Sequence, residues 1–93
     1  MKNNLFISYD LNSPGQDYAT VIEKIHSLGS WAKVQKSHFF VSTTLSAEQA
    51  RTAVWSVMDN NDSLIVIDAS KNDARWNNLL PEVTKQIQDN WCH

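Results

Sequence analysis

The stretch WAKVQKSHFFVSTT, residues 31–44, contains the two-strand pattern from which the fold can be predicted. Residues 31–36 alternate in character, which places Lys33 and Gln35 on the same predicted face. Residues 38–44 are rich in aromatic and β-branched side chains. Such residues and a period of two are typical of strands, so we expect two strands joined by a tight turn.

Two further apolar runs predict two more strands. LFISY, residues 5–9, is apolar and aromatic and is followed by Asp10, which predicts a buried strand over 4–10. SLIVID, residues 63–68, follows the polar run DNND and is apolar enough to be covered by helices.

The first helix is predicted between the first two strands, over 14–28. Ser13 as N-cap and Pro14 in the first turn form a plausible helix start. Gly29 is placed to end the helix in a left-handed conformation. His26 lies outside the apolar stripe and is expected to face solvent. The stripe consists of Tyr18, Val21, Ile22, Ile25 and Leu28.

The second helix is predicted over 46–58, because Ser46 and Gln49 have the spacing of a capping box. The resulting order β-α-β-β-α-β predicts an α+β, ferredoxin-like fold with a four-stranded antiparallel sheet. We assign it to residues 1–69. Residues 70–93 are predicted to form a helical extension that packs on the same domain or on a dimer partner. Its apolar positions are Val83, Ile87 and Trp91.

Composition limits the classes of function. The 93 residues have a net charge of −2 and include two arginines, Arg51 and Arg75, which are scattered in sequence. This weighs against a strong, general grip on nucleic acid, which depends on Lys and Arg. Cys92 is the only cysteine, so no internal disulfide forms. We find no membrane-length apolar run and no signal peptide, and therefore expect a cytoplasmic protein.

The predicted topology places Asp10 at the same sheet edge as the turn at Gln35, Lys36 and Ser37. Asp68 falls at the opposite edge, so the two aspartates cannot form a catalytic pair within one subunit. Asp10 then has two interpretations. It caps the turn after its strand, or it supplies one carboxylate to a metal site completed by a two-fold dimer partner.

The run from Val34 to Phe39, together with Tyr9-Asp10 and Leu28-Gly29, resembles the pattern of the CRISPR-associated protein 2 and virulence-associated protein D superfamily, including SinR-like small proteins. The resemblance spans roughly residues 5–68. It implies a homodimer of ferredoxin-like subunits. Some members are described as metal-dependent nucleases, and others are non-catalytic scaffolds.

The resemblance implies a set of site residues. Asp10 matches the essential residue of the nucleases, so it is expected to bind Mg²⁺ and to act in catalysis together with Ser37. Gln35 is expected to orient the nucleic-acid backbone. Apart from the resemblance, Lys33 and Lys36 have two interpretations: they contact phosphate, or they protect an edge strand from aggregation.

A second function remains open at this stage, namely a catalytically silent binding module. The same dimer would dock a protein partner as a CRISPR, toxin–antitoxin or phage-encoded accessory factor. The net charge of −2 favours this alternative. So does the sequence Gln16-Asp17-Tyr18, which stands where the superfamily commonly has basic residues.

Overall fold

The computed structural model describes residues 2–12 and 18–90. The predicted helix start at Ser13 and Pro14 lies outside the described residues, as do Trp91 and Cys92. In chain order the elements are β1 (Asn3–Asp10), α1 (Tyr18–His26), β2 (Ser30–Gln35), β3 (His38–Thr43), α2 (Ala47–Trp55), β4 (Ser63–Asp68), β5 (Asp73–Asn77) and α3 (Pro81–Asn90).

The fold is α+β, with one antiparallel sheet in the strand order β2-β3-β1-β4-β5. β1 is the middle strand: its Ile7 lies opposite Phe39 of β3 on one side and Val66 of β4 on the other. The first four strands lie within two residues of their predicted bounds. The sheet has five strands where the sequence predicted four.

The additional strand, β5, lies in residues 70–93, where the sequence predicted a helical extension and no strand. Asn72 and Asn78 bracket it with left-handed φ angles of 54° and 60°. Asparagine adopts this conformation more readily than most residues. The extended backbone of β5 therefore begins directly after Asn72 and ends directly before Asn78. The alternation of Ala74 and Trp76 with polar neighbours is a strand signal that the sequence analysis missed.

The helices α1 and α2 cover one face of the sheet and form the core with it. The Ser46 hydroxyl accepts a hydrogen bond from the Gln49 backbone N–H at 3.1 Å, and the Gln49 side chain accepts one from the Ser46 N–H at 2.9 Å. The predicted capping box is therefore confirmed. The buried core residues are Leu5, Ile7, Tyr9, Val21, Ile25, Phe39, Val41, Ala47, Ala50, Val54, Leu64 and Val66.

The other face of the sheet, here called the open face, is left uncovered by α1 and α2. Successive strand residues point to opposite faces, so the neighbours of the core residues lie on it. Its large apolar side chains are only half-buried. They are Phe6, Phe40, Ile65, Ile67 and Trp76.

The helix α3 is present as predicted, but none of its residues is buried. Leu80, just before it, is 63% exposed and Val83 is 41% exposed. Its apolar side therefore has no core to rest on within the described chain. Among residues 2–12 and 18–90, no helix is both long enough and apolar enough to cross a membrane.

Gly29 is required for a reason other than the predicted one. Its φ lies outside the left-handed region, so it does not end α1 in that conformation. A Cβ at this position would instead lie 2.1 Å from the backbone oxygen of Ser42. The close approach of the chain entering β2 to β3 therefore excludes any side chain.

Candidate functional site

Asp10 is the last residue of β1 and lies opposite Ser63 of β4. It is exposed, and it shares the open face with Phe6. Its carboxylate forms no hydrogen bond or ion pair with another described residue. A turn cap needs such a bond to a backbone N–H, so this part of the chain gives the turn-cap interpretation no support.

Asp62 is the carboxylate that holds the chain after β1, and sequence reasoning missed it. Asp62 is fully buried, and its two oxygens accept the backbone N–H groups of Asn12 and Asp59, each at 2.7 Å. The Asn78 amide also donates to the Asp62 backbone oxygen at 2.7 Å. The sequence signal was an aspartate immediately before an apolar strand, read only as part of a polar break.

Asp68 lies at the other end of the same strand pair, opposite Leu5. It is buried and caps the β4–β5 turn, accepting the backbone N–H of Ser70 at 2.9 Å and of Lys71 at 3.2 Å. The prediction that Asp10 and Asp68 cannot meet within one subunit is confirmed.

The turn between β2 and β3 lies beside the end of β1, as predicted. The backbone N–H of Tyr9 donates to the Ser37 oxygen at 3.1 Å. The Tyr9 side chain points into the core, away from the face that carries Asp10. Its hydroxyl is buried and finds no hydrogen-bonding partner among the described residues. Burial is the main cause that raises the pKa of Tyr9, and Tyr18 adds to the shift.

The predicted nucleic-acid contacts do not share one face. The pairing of β2 with β3 shifts register between Lys33 and Gln35, so Lys33 lies opposite Phe39 and Gln35 lies opposite His38. Opposed residues share a face, which places Lys33 on the helix side and Gln35 on the open face with Asp10. The expected common face of Lys33 and Gln35 is therefore wrong, because a bulge intervenes. Lys36 is exposed in the turn itself.

The histidines near this edge are packed on aromatic rings. His26 stacks on Trp31 with ring centroids 3.6 Å apart and an angle of 7° between the planes. It is half-buried, so the expectation that it faces solvent is wrong. The rings of His38 and Phe6 lie with their centroids 5.7 Å apart.

In the part of the chain that the structure describes, the site thus consists of the Asp10 carboxylate, which has no partner there, and its polar neighbours. Among residues 2–12 and 18–90, no three His, Cys, Asp or Glu side chains cluster as a metal site. Asp10 is the only carboxylate on the open face of β1. Comparison of this chain with family models, with curated proteins and with solved structures finds no match.

Proposed function

We propose that the protein is a homodimer similar to CRISPR-associated protein 2 and acts as a Mg²⁺-dependent nuclease on RNA or DNA. In this proposal two copies pair through their open faces. Asp10 of each copy then lies at the seam, and the two carboxylates together bind the metal. The observation that carries the proposal is that the exposed Asp10 carboxylate, which pairs with no other described residue, shares its face with the uncovered apolar residues.

The open face has the properties of a surface that pairs with another. The rings of Phe6 and Phe40 lie 5.5 Å apart and form an aromatic cluster in the middle of the sheet. Contiguous apolar surface of this kind is typical of protein–protein interfaces. A two-fold axis near the end of β1 would bring one Asp10 from each copy together.

The residues at this edge have defined roles in the proposed reaction. Mg²⁺ is usually bound by one or two carboxylates together with phosphate and water oxygens, which fits a pair of Asp10 side chains. When bound, the metal supplies an activated water and neutralises charge on the departing oxygen. Ser37 and Gln35 orient the phosphodiester, and Lys36 contacts phosphate from the exposed turn. Lys33 lies on the helix side of the sheet, so in this proposal its side chain contacts the substrate only by extending past the outer edge of β2.

We further propose that the fold is ferredoxin-like and is extended by β5. The order β2-β3-β1-β4 within the sheet supports this, as do α1 and α2 on one face. β5 then adds a strand beside β4 and leaves the Asp10 edge unchanged.

The second candidate function is that of a binding module that docks a protein partner. It is favoured by the absence, among the described residues, of a group of three His, Cys, Asp or Glu side chains that could bind a metal, together with the net charge of −2. In that case the protein would still form the dimer but would not cleave RNA or DNA.

Labelled RNA and DNA incubated with the protein, in Mg²⁺ or in chelator, test the leading proposal. We expect Mg²⁺-dependent cleavage by the wild type and none by Asp10→Asn. Glu23→Gln, which removes an exposed carboxylate from α1, is the matched control and should cleave as the wild type does. If no RNA or DNA offered is cleaved in a divalent-dependent manner, the binding module becomes the favoured function.

A further inference from the structure

The only two arginines of the chain meet at one cleft, although they are scattered in sequence. Arg51 of α2 and Arg75 of β5 both form ion pairs with Glu48. The cleft has a volume of about 310 Å³ and lies between α2 and β5. It is lined by Glu48, Arg51, Ala74, Arg75 and Trp76.

The two guanidinium groups both pair with Glu48, and Arg75 also pairs with Asp73, but neither guanidinium uses all of its N–H donors in a short hydrogen bond. Arg51 also donates to the Asn77 side chain at 2.8 Å, while its Nε is buried and finds no acceptor among the described residues. Arg75 contacts Glu48 at 3.2 Å and Asp73 at 3.5 Å, and its side chain is 48% exposed. A contact of 3.5 Å is at the long limit for a hydrogen bond, so Arg75 has capacity for a further carboxylate.

The cleft borders one of the two outer strands of the sheet, and no other described strand pairs with the far side of that strand. β5 is an outer strand whose register with β4 runs unbroken from Asp73 to Asn77. The opposite outer strand, β2, has a register shift and carries Lys33. Bulges and lysines protect edges from added strands, so β5 is the less protected of the two.

We propose that β5 binds an extended segment of a partner protein as an added strand, with an aspartate or glutamate opposite Arg75. Opposed residues of neighbouring strands share a face, so this carboxylate would enter the cleft between Arg75 and Arg51. The two residues of the partner segment that flank its aspartate or glutamate would lie opposite Ala74 and Trp76 and would extend the open face. The recognised pattern is therefore apolar–acidic–apolar. The inference rests on the second candidate function and is independent of Asp10.

Charge decides against two other occupants. A second copy pairing antiparallel along the whole of β5 would place Arg75 opposite its own copy, and like charges directly opposed are destabilising. A nucleic-acid strand would bring several phosphates close to Glu48 and Asp73, which flank Arg75. A single carboxylate brings one negative charge near Glu48 and Asp73 where a nucleic-acid strand brings several, so its repulsion with them is smaller.

The experiment uses a labelled synthetic peptide in which valine alternates with threonine and the central threonine is replaced by glutamate. Its matched control has glutamine at the centre. Affinities are measured by fluorescence anisotropy, and the binding surface is mapped from amide NMR spectra of the isotope-labelled protein. We expect the glutamate peptide to shift the amides of β5 and the glutamine peptide to bind about tenfold more weakly.

Protein variants locate the contact. Arg75→Gln should weaken binding of the glutamate peptide about tenfold, whereas Lys33→Gln on the opposite edge should leave it unchanged. Asp10→Asn should also bind as the wild type does. Because Arg75 is half-exposed, Arg75→Gln should keep the circular dichroism spectrum of the wild type.

Several results would overturn the proposal: no peptide binding, equal binding of the two peptides, shifts confined to β2 or the open face, or displacement of the peptide by an oligouridine. Concentration-dependent shifts of β5 in the protein alone would assign the edge to a second copy and also overturn it. Asp10-dependent cleavage decides against the binding-module function, whereas failure of the glutamate peptide decides only against this class of partner.

Discussion

The Asp62 carboxylate accepts a hydrogen bond from the backbone N–H of Asn12 at 2.7 Å and ties the loop before β4 to the chain directly after β1. The end of β1 is thereby held by a buried residue. Asp62, and not Asp10, therefore holds the chain after β1, whereas one interpretation of the sequence was that Asp10 caps this turn.

Asp62→Asn is expected to destabilise the fold by about 2 kcal/mol, because one carboxylate oxygen would be replaced by an amide that cannot accept a backbone N–H. Urea unfolding measures the change. Asp59→Asn is the control, since Asp59 is exposed and contributes its backbone to this contact. Equal stability of the two variants would show that the Asp62 hydrogen bonds are not a major contribution.

Gly29→Ala should be destabilising by about 1–3 kcal/mol, since its Cβ would overlap the Ser42 backbone oxygen. The neighbouring Ser30→Ala changes an exposed side chain and should have little effect. Thermal or urea unfolding compares the two variants. A wild-type-like Gly29→Ala would mean that the β2–β3 pair can separate at this point without cost.

Tyr9 is expected to make stability depend on alkaline pH. Burial raises its pKa above the ordinary value of 10.0, so the folded state retains a proton that the unfolded state has lost. The stabilising contribution is complete below pH 10.0 and is lost as pH rises through the higher folded value. Tyr9→Phe should reduce this loss, whereas Tyr18→Phe should retain most of it. Unfolding free energies measured across alkaline pH would contradict the expectation if the two variants behaved alike.

Phe40→Asp tests pairing through the open face. A charge beside Phe6 would have to be buried at the proposed interface, so the variant should be monomeric at concentrations where the wild type is a dimer. Val34→Asp places the same charge at the β2 edge, where Val34 is 53% exposed, and should remain dimeric. Light scattering that finds a monomeric wild type at high micromolar concentration would count against the dimer itself.

β1, β4 and α2 could be predicted from the sequence because the signals for each of them lie within the element itself. Apolar runs define β1 and β4, and the Ser46–Gln49 capping box defines the start of α2. β5 was missed because it is short and its two end residues, Asp73 and Asn77, are uncommon in strands, and because it is stabilised by pairing with the distant β4. The local sequence pattern indicates which residues form a helix or strand, but it does not indicate which other elements that helix or strand contacts.

The candidate site was predicted only in part, for the same reason. The placement of Asp10 beside the Ser37 turn follows from topology. The meeting of Arg51 with Arg75 depends on long-range packing, and so does the stacking of His26 on Trp31. The face of Gln35 was mispredicted because one bulge in β2 reverses the alternation.

The most direct test of the central claim is the stoichiometry of divalent metal binding at Asp10. Titration with Mn²⁺, followed by electron paramagnetic resonance and calorimetry, should find one tightly bound ion per two chains in the wild type. The same titration should find none in Asp10→Asn, with Glu23→Gln as the control that still binds. One ion per chain, or equal binding by wild type and Asp10→Asn, would contradict a metal held between two Asp10 carboxylates.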